Sequence, residues 1–119
     1  VAVENHQDIA SEELRRLFLR QKLVWPGGER VTVCERPAKE PIRRDFSEAV
    51  LGKTPEALRE YWLNLKLTRG LDAPKVLKST DLLRAYLLRV KGSIGYVSED
   101  EVDEAAMKVV SWIEPKHDD

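Results

Sequence analysis

The segment VTVCERPAKEPIRRDFSEAVLG, residues 31–52, decides the fold class. It opens with Val31–Cys34, whose β-branched residues are typical of a short buried strand. A loop broken by Pro37 and Pro41 follows, and proline is well tolerated in the first turn of a helix. We therefore expect a helix that begins near Pro41 and ends before Gly52, a residue suited to the position after a helix. A strand that leads into a helix indicates α/β packing.

The same alternation of helix and strand signals extends on both sides of this segment. Apolar residues repeat at helical spacing after three suitable helix starts, namely Ser11, Thr54-Pro55, and Ser79 or Thr80. Short strands are expected at Val1–Glu4, Lys75–Lys78 and Ser93–Val97. The run Ala105–Ile113 is ambiguous, and its β-branched residues favour a strand over Met107–Ile113. We predict one α/β domain over residues 1–119, with about the last six residues frayed.

Two apolar stripes at helical spacing indicate where the helices pack. The first consists of Leu58, Tyr61, Trp62 and Leu65, and the second of Leu83, Tyr86, Leu87 and Val90. Such i, i+3, i+4 stripes normally face a hydrophobic core. We therefore predict that Trp62 and Tyr86 are core residues on facing helices.

Composition excludes several classes of function. The 119 residues carry 20 basic and 21 acidic side chains, for a net charge of −1, which disfavours a nucleic-acid binder. No apolar run approaches the ~20 residues that span a bilayer, so direct membrane insertion is not expected.

The single cysteine, Cys34, excludes an internal disulfide and a multi-cysteine zinc site, and its apolar surroundings predict a buried, unreactive thiol. His6 and His117 are expected to be solvated.

The sequence contains no recognisable catalytic or cofactor motif. It lacks G-x-S-x-G, H-E-x-x-H, the P-loop and G-x-G-x-x-G. The acidic run at residues 99–104 lacks the spacing of a calcium loop and is expected to form a solvated turn. We therefore expect a protein that is not an enzyme and needs no cofactor or metal.

The basic stretch between Arg36 and Arg44 is the best candidate for a site. Its loop leads from a strand to a helix start, where unpaired N–H groups and the helix dipole favour an anion. The candidate anion-binding residues are Arg36, Lys39, Arg43 and Arg44. The alternative is that these bases are exposed and paired locally, since Glu40 and Glu48 each lie four residues from Arg44.

The order of these features resembles the periplasmic phosphate-binding proteins of ABC transporters, in particular short stand-alone members of that superfamily. The resemblance rests on the helix residues EELRRLFL (12–19), then WPGG (25–28) and VTV (31–33), then FSEAVLGK (46–53), the pair Tyr61-Trp62, and KGSIGYV (91–97). It covers roughly residues 9–113. It implies one lobe of a type 2 periplasmic-binding fold, with a mixed sheet flanked by helices. Full-length members grip phosphate between two lobes.

The chain departs from the family pattern at two places. The family's phosphate loop resembles R-S-D-G-S-G-T, whereas this chain has RPAKEPI at residues 36–42. Arg36 keeps the arginine, but the Ser, Gly and Thr contacts are missing and Glu40 adds a repelling carboxylate. Where the family has Gly after Phe-x, this chain has Arg20.

The resemblance implies a non-enzymatic solute-binding lobe that binds phosphate or another oxyanion weakly in transport or sensing. The alternative is a protein-interaction module that kept the lobe and lost the ligand. A protein partner or a second subunit could complete the cleft. The resemblance also implies an exported, periplasmic protein, and the start at Val1 fits either a removed signal peptide or a trimmed chain.

Overall fold

Four short strands form one mixed sheet in the computed structural model, which describes residues 2–3 and 11–102. The strands are β1 (Ala2–Val3), β2 (Thr32–Glu35), β3 (Lys75–Val76) and β4 (Ser93–Gly95). Their order is β1-β4-β2-β3, with β1 antiparallel to β4 and both β4 and β3 parallel to β2. The predicted strand Met107–Ile113 and the two histidines lie outside the described residues.

The helices occupy the segments that the sequence patterns predicted. They are α1 (Ser11–Phe18), α2 (Pro41–Phe46), α3 (Pro55–Arg69) and α4 (Thr80–Arg89). The helix α2 continues as one π-helical turn over Ser47–Leu51, and a short 3-10 turn covers Glu99–Glu101. No helix in the described part of the chain is both long and apolar enough to cross a membrane.

Local capping chemistry fixes two of these helix starts. The Thr54 hydroxyl accepts a hydrogen bond from the Ala57 amide at 3.1 Å, and Ser79 accepts one from the Leu82 amide at 3.1 Å. Each bond satisfies one of the backbone N–H groups that a helix leaves unpaired at its start. Of the two predicted caps for α4, Ser79 is therefore the correct one.

The sheet separates two apolar clusters, because successive strand residues point to opposite faces. One face packs against α1, α2 and α3, and its buried residues include Leu14, Phe18, Val33, Phe46, Leu58 and Ile94. The other face packs against α4, and its buried residues are Cys34, Leu77, Leu83, Leu87 and Val97. Helices therefore cover both faces of the sheet.

The predicted pairing of Trp62 with Tyr86 is wrong. Both side chains are only half-buried. Trp62 packs against the cluster of α1, α2 and α3, whereas Tyr86 packs against the cluster of α4. The two stripes face the same sheet from opposite sides, and helical spacing alone cannot show which face of a sheet a helix covers.

A hairpin at residues 24–30 joins α1 to β2. Val24 and Arg30 form an antiparallel bridge, and the Gly28 amide donates to the Trp25 carbonyl at 2.8 Å. The buried Trp25 indole N–H donates to the Gly92 carbonyl at 2.9 Å. This bond ties the hairpin to the turn between α4 and β4.

Candidate functional site

Arg36 lies directly after the carboxyl end of β2, in the middle of the parallel part of the sheet. Ligands of open α/β folds bind at this edge, outside the carboxyl ends of the strands. A tight turn, in which the Glu40 amide donates to the Pro37 carbonyl at 3.0 Å, leads from Arg36 into α2. The Arg36 residue is only 4% exposed, so its guanidinium group is held inside the fold.

Two polar groups hold the Arg36 guanidinium. Its Nε donates to Glu40 Oε1 at 2.8 Å, and its Nη2 donates to Thr80 Oγ1 at 2.8 Å. Thr80 Oγ1 in turn donates to Glu101 Oε2 at 2.5 Å. The remaining nitrogen, Arg36 Nη1, is buried and has no hydrogen-bond partner among the described residues. We call Arg36, Glu40, Thr80 and Glu101 the Arg36 network.

Arg43 fixes the loop that carries Arg36. It is buried, and its Nη1 donates to the Arg36 carbonyl at 2.6 Å. Its Nε lies 3.5 Å from Glu35 Oε1, which also accepts hydrogen bonds from the Tyr96 hydroxyl and the Arg36 amide. The Tyr96 ring stacks on Phe46, with centroids 4.0 Å apart. Arg43 Nη1 is therefore bonded within the protein, whereas its buried Nε approaches Glu35 but has no hydrogen-bond partner among the described residues.

The other two predicted site residues lie elsewhere. Lys39 is exposed in the turn before α2. Arg44 is exposed and makes a two-point contact with Glu56 of α3 at 2.9 and 3.0 Å, and its Nη1 is 3.5 Å from Glu48. The structure thus brings Arg36 and Arg43 together and leaves Lys39 and Arg44 outside the pair. The predicted local pairing of Arg44 with Glu48 is confirmed, whereas Glu40 pairs with Arg36.

Sequence reasoning missed two members of the network, Thr80 and Glu101. The acidic turn was expected to be solvated, but Glu101 turns inward and also caps its own turn, accepting from the Ser98 amide at 3.1 Å. One signal was available for Thr80. It begins the helix after β3, and β3 lies beside β2, so the two carboxyl ends meet at one edge.

Acidic groups balance the buried guanidinium groups. Burial raises the pKa of the Glu35 carboxyl, although the nearby charge of Arg43 opposes that shift. The hydrogen bond from Thr80 is the largest cause of the lowered pKa of Glu101. An anion that approaches Arg36 must therefore compete with Glu40 and lie near Glu101. In the described part of the chain, no three metal-ligating side chains converge.

Comparison with solved structures identifies the fold as that of a periplasmic-binding-protein-like lobe. No family model and no curated protein matches the chain. A solved structure of Clostridium perfringens does match it: a protein described as a phosphate ABC transporter substrate-binding protein, with bound phosphate. The TM-score is 0.71 at 16% sequence identity, and the match covers 92% of this chain.

That match shows the fold alone, because the sequence identity is low. The chain spans 42% of the length of the Clostridium protein, so it corresponds to less than half of it. The predicted fold class, a mixed sheet flanked by helices in a single lobe of this type, is confirmed.

Proposed function

We propose that this chain is a non-enzymatic lobe that binds phosphate or a similar oxyanion weakly at Arg36. The observation that carries the proposal is the buried Arg36 Nη1, a charged donor with no partner among the described residues, at the sheet edge where α/β folds usually bind ligands. A buried guanidinium N–H without an acceptor is costly, and a bound oxyanion would supply that acceptor. The fold shared with a phosphate-transporter protein supports the choice of ligand.

The Arg36 network explains why binding is weak. The Glu40 carboxylate already accepts a hydrogen bond from Arg36 Nε at 2.8 Å. The Glu101 carboxylate accepts one from the Thr80 hydroxyl, which itself accepts from Arg36 Nη2. Both carboxylates repel an incoming anion. A single lobe also leaves one side of the ligand in water, where the attraction between charges is small.

Thermal unfolding in phosphate, compared with chloride at equal ionic strength, tests this proposal. Ligand binding to the folded state alone adds about 2.7 kcal/mol at ~100 times the dissociation constant. We expect no phosphate-specific shift below millimolar concentration and a small shift at tens of millimolar. The Glu40→Gln variant should enlarge the shift, because it removes the competing charge and keeps the shape of the side chain.

Arginine variants locate the effect. Arg36→Gln should remove the part of the phosphate-specific shift that Glu40→Gln enlarges, as should Arg43→Ala combined with Arg44→Ala. Arg44→Ala alone is the matched control and should retain it, since that exposed side chain pairs with Glu56. A shift that Glu40→Gln leaves unchanged and Arg44→Ala abolishes would contradict a site at Arg36.

A second candidate function is a protein-interaction module that no longer binds a ligand. Two leucines four residues apart on α3 favour it, because Leu63 is 61% exposed and Leu67 is 77% exposed. Exposed apolar patches often mark contact surfaces. A second subunit there would give concentration-dependent sedimentation that Leu63→Asp with Leu67→Asp abolishes, whereas the anion-binding function predicts no such dependence.

We further propose that the chain works outside the cytoplasmic membrane, in transport or sensing. The support is the shared fold with a transporter substrate-binding protein. Fractionation of cells that express the native gene tests this location, and recovery of the protein with the cytoplasmic fraction would contradict it.

A further inference from the structure

A cleft of about 230 Å³ lies at the opposite end of β2 from Arg36. Its walls come from the end of α1, the start of β2 and the segment that precedes β3, and they include Arg20, Arg30, Thr32 and Asp72. The cleft is therefore separate from the Arg36 network, which lies at the carboxyl end of the same strand.

Arg20 lines this cleft and has an unfavourable backbone conformation. Its φ is 62°, and it is the one non-glycine residue with a positive φ in the described part of the chain. The Arg20 amide donates to the Leu17 carbonyl and the Gln21 amide to the Arg16 carbonyl, the bonds of a Schellman helix end. Glycine is the usual residue at that position because a side chain is strained there.

The Arg20 guanidinium is only partly satisfied. Its Nη1 donates to the Val31 carbonyl at 3.4 Å, a long hydrogen bond, and its buried Nε has no partner among the described residues. Burial is the largest cause of the lowered pKa of Arg20, and the positive charge of Arg30 is the second. The two arginines are thus close enough to repel each other.

The carboxylate in the cleft offsets this positive charge only in part, because the charge of Asp72 opposes the lowering of the Arg20 pKa but is its third-largest influence. Asp72 accepts a hydrogen bond from Lys66 at 2.7 Å, outside ion-pair distance of either arginine. Lys75 also borders the cleft, but its ammonium group lies over the Tyr86 ring, 5.6 Å from the centroid. The half-buried Arg20 and the exposed Arg30 therefore leave net positive charge beside a space that a small ligand could enter.

We propose that this cleft is a second anion site, in which Arg20 and Arg30 together bind a small oxyanion. Guanidinium groups match carboxylate and phosphate oxygens in geometry, and an anion between two of them removes their mutual repulsion. A bound oxygen would also give the buried Arg20 Nε an acceptor. The hairpin that carries Arg30 is anchored by Trp25, so this wall of the cleft is held in place before a ligand arrives.

An NMR titration of the labelled chain tests this site independently of the Arg36 proposal. Sodium acetate, sodium sulfate and sodium phosphate are the three probes, with sodium chloride as the reference at equal ionic strength. We expect saturable shifts of the amide signals of residues 30–33 and 72–73. Acetate as the strongest probe identifies a carboxylate site, and sulfate or phosphate identifies a site for tetrahedral oxyanions.

Arg20→Gly is the sharpest variant, because it removes the guanidinium and relieves the backbone strain at once. It should stay folded, with an unfolding temperature no lower than that of the parent, and lose these shifts. Arg30→Gln should lose them as well, whereas Arg59→Ala, an exposed arginine of α3, should keep them. Shifts equal to those in chloride, or shifts that survive in both Arg20→Gly and Arg30→Gln, would overturn the proposal. Shifts of the amide signals of residues 36–40 report on binding at the Arg36 network instead.

Discussion

Cys34 shows how one residue of β2 is controlled by its surroundings. The side chain is buried between the sheet and α4, and burial raises the pKa of its thiol to about 12. The thiolate is the reactive form, and it is scarce at neutral pH with such a pKa. The predicted buried location is confirmed.

This burial predicts slow reaction of Cys34 with thiol reagents. Labelling of the folded chain with an aromatic disulfide reagent should be slow near neutral pH and should become fast in denaturant. Free cysteine under the same conditions is the control. Rapid stoichiometric labelling without denaturant would contradict the burial of this side chain.

Both the backbone conformation at Gly92 and the close approach of a neighbouring carbonyl group require glycine at this position. Its φ is 82°, and a Cβ at this position would collide with the carbonyl oxygen of Arg30. Gly92→Ala should therefore destabilise the fold by about 1–3 kcal/mol, in the range of strained backbone positions. Gly27→Ala is the matched control, since nothing lies within 4 Å of a Cβ there. Equal urea midpoints for the two variants would show that the close approach is absent.

Glu35 should make stability depend on pH. Burial raises its pKa in the folded state above the ordinary 4.5, so the folded chain holds this proton more tightly than the unfolded chain. Glu35 therefore stabilises the fold fully at pH values below its pKa in the unfolded chain. This contribution to the free energy of unfolding declines as pH rises through the pKa of Glu35 in the folded chain.

Glu35→Gln isolates this effect, because every other titrating group is shared with the parent. The free energy of unfolding of the parent, minus that of the variant, should fall as pH rises above the ordinary glutamate pKa of 4.5. Urea denaturation at several pH values measures it. A difference that rises with pH would mean that Arg43 and Tyr96 outweigh burial at this carboxyl.

At the scale of elements, α3 shows which part of a helix stabilises the fold. Leu58 is fully buried against the cluster of α1 and α2, whereas Leu63 is 61% exposed. Leu58→Ala should cost about 2–5 kcal/mol of unfolding free energy, the usual range for a buried leucine. Leu63→Ala, the same substitution on the same helix, should change it by less than about 0.5 kcal/mol. Similar losses in both variants would mean that α3 packs differently.

The elements themselves could be predicted because their signals are local. The threonine cap at Thr54, the prolines at helix starts and the left-handed Gly52 each act within a few residues. The π-helical turn after α2 could not be predicted, since apolar spacing there fits an ordinary helix equally well. The sequence also could not predict which face of the sheet each helix covers, because Trp62 and Tyr86 pack against different clusters.

At the scale of the whole molecule, the candidate site depends on segments that are distant in sequence. Arg36 and Arg43 could be identified from one basic stretch, but Thr80 and Glu101 meet Arg36 only after β2 and β3 have paired. Charge in the sequence likewise did not show that Arg44 would turn toward Glu56 on α3. Local patterns therefore predict the lobe, and tertiary contacts decide which bases can serve a ligand.

Equilibrium dialysis of the isolated chain against radiolabelled phosphate tests the central claim most directly. Arg20→Gly is included as the background, so that the cleft at the other end of β2 does not contribute. We predict one saturable site with half-saturation in the millimolar range, tightened by Glu40→Gln and lost in Arg36→Gln. Micromolar affinity would contradict the competing role of Glu40, and no saturable binding in either the parent or Glu40→Gln would contradict an anion site at Arg36.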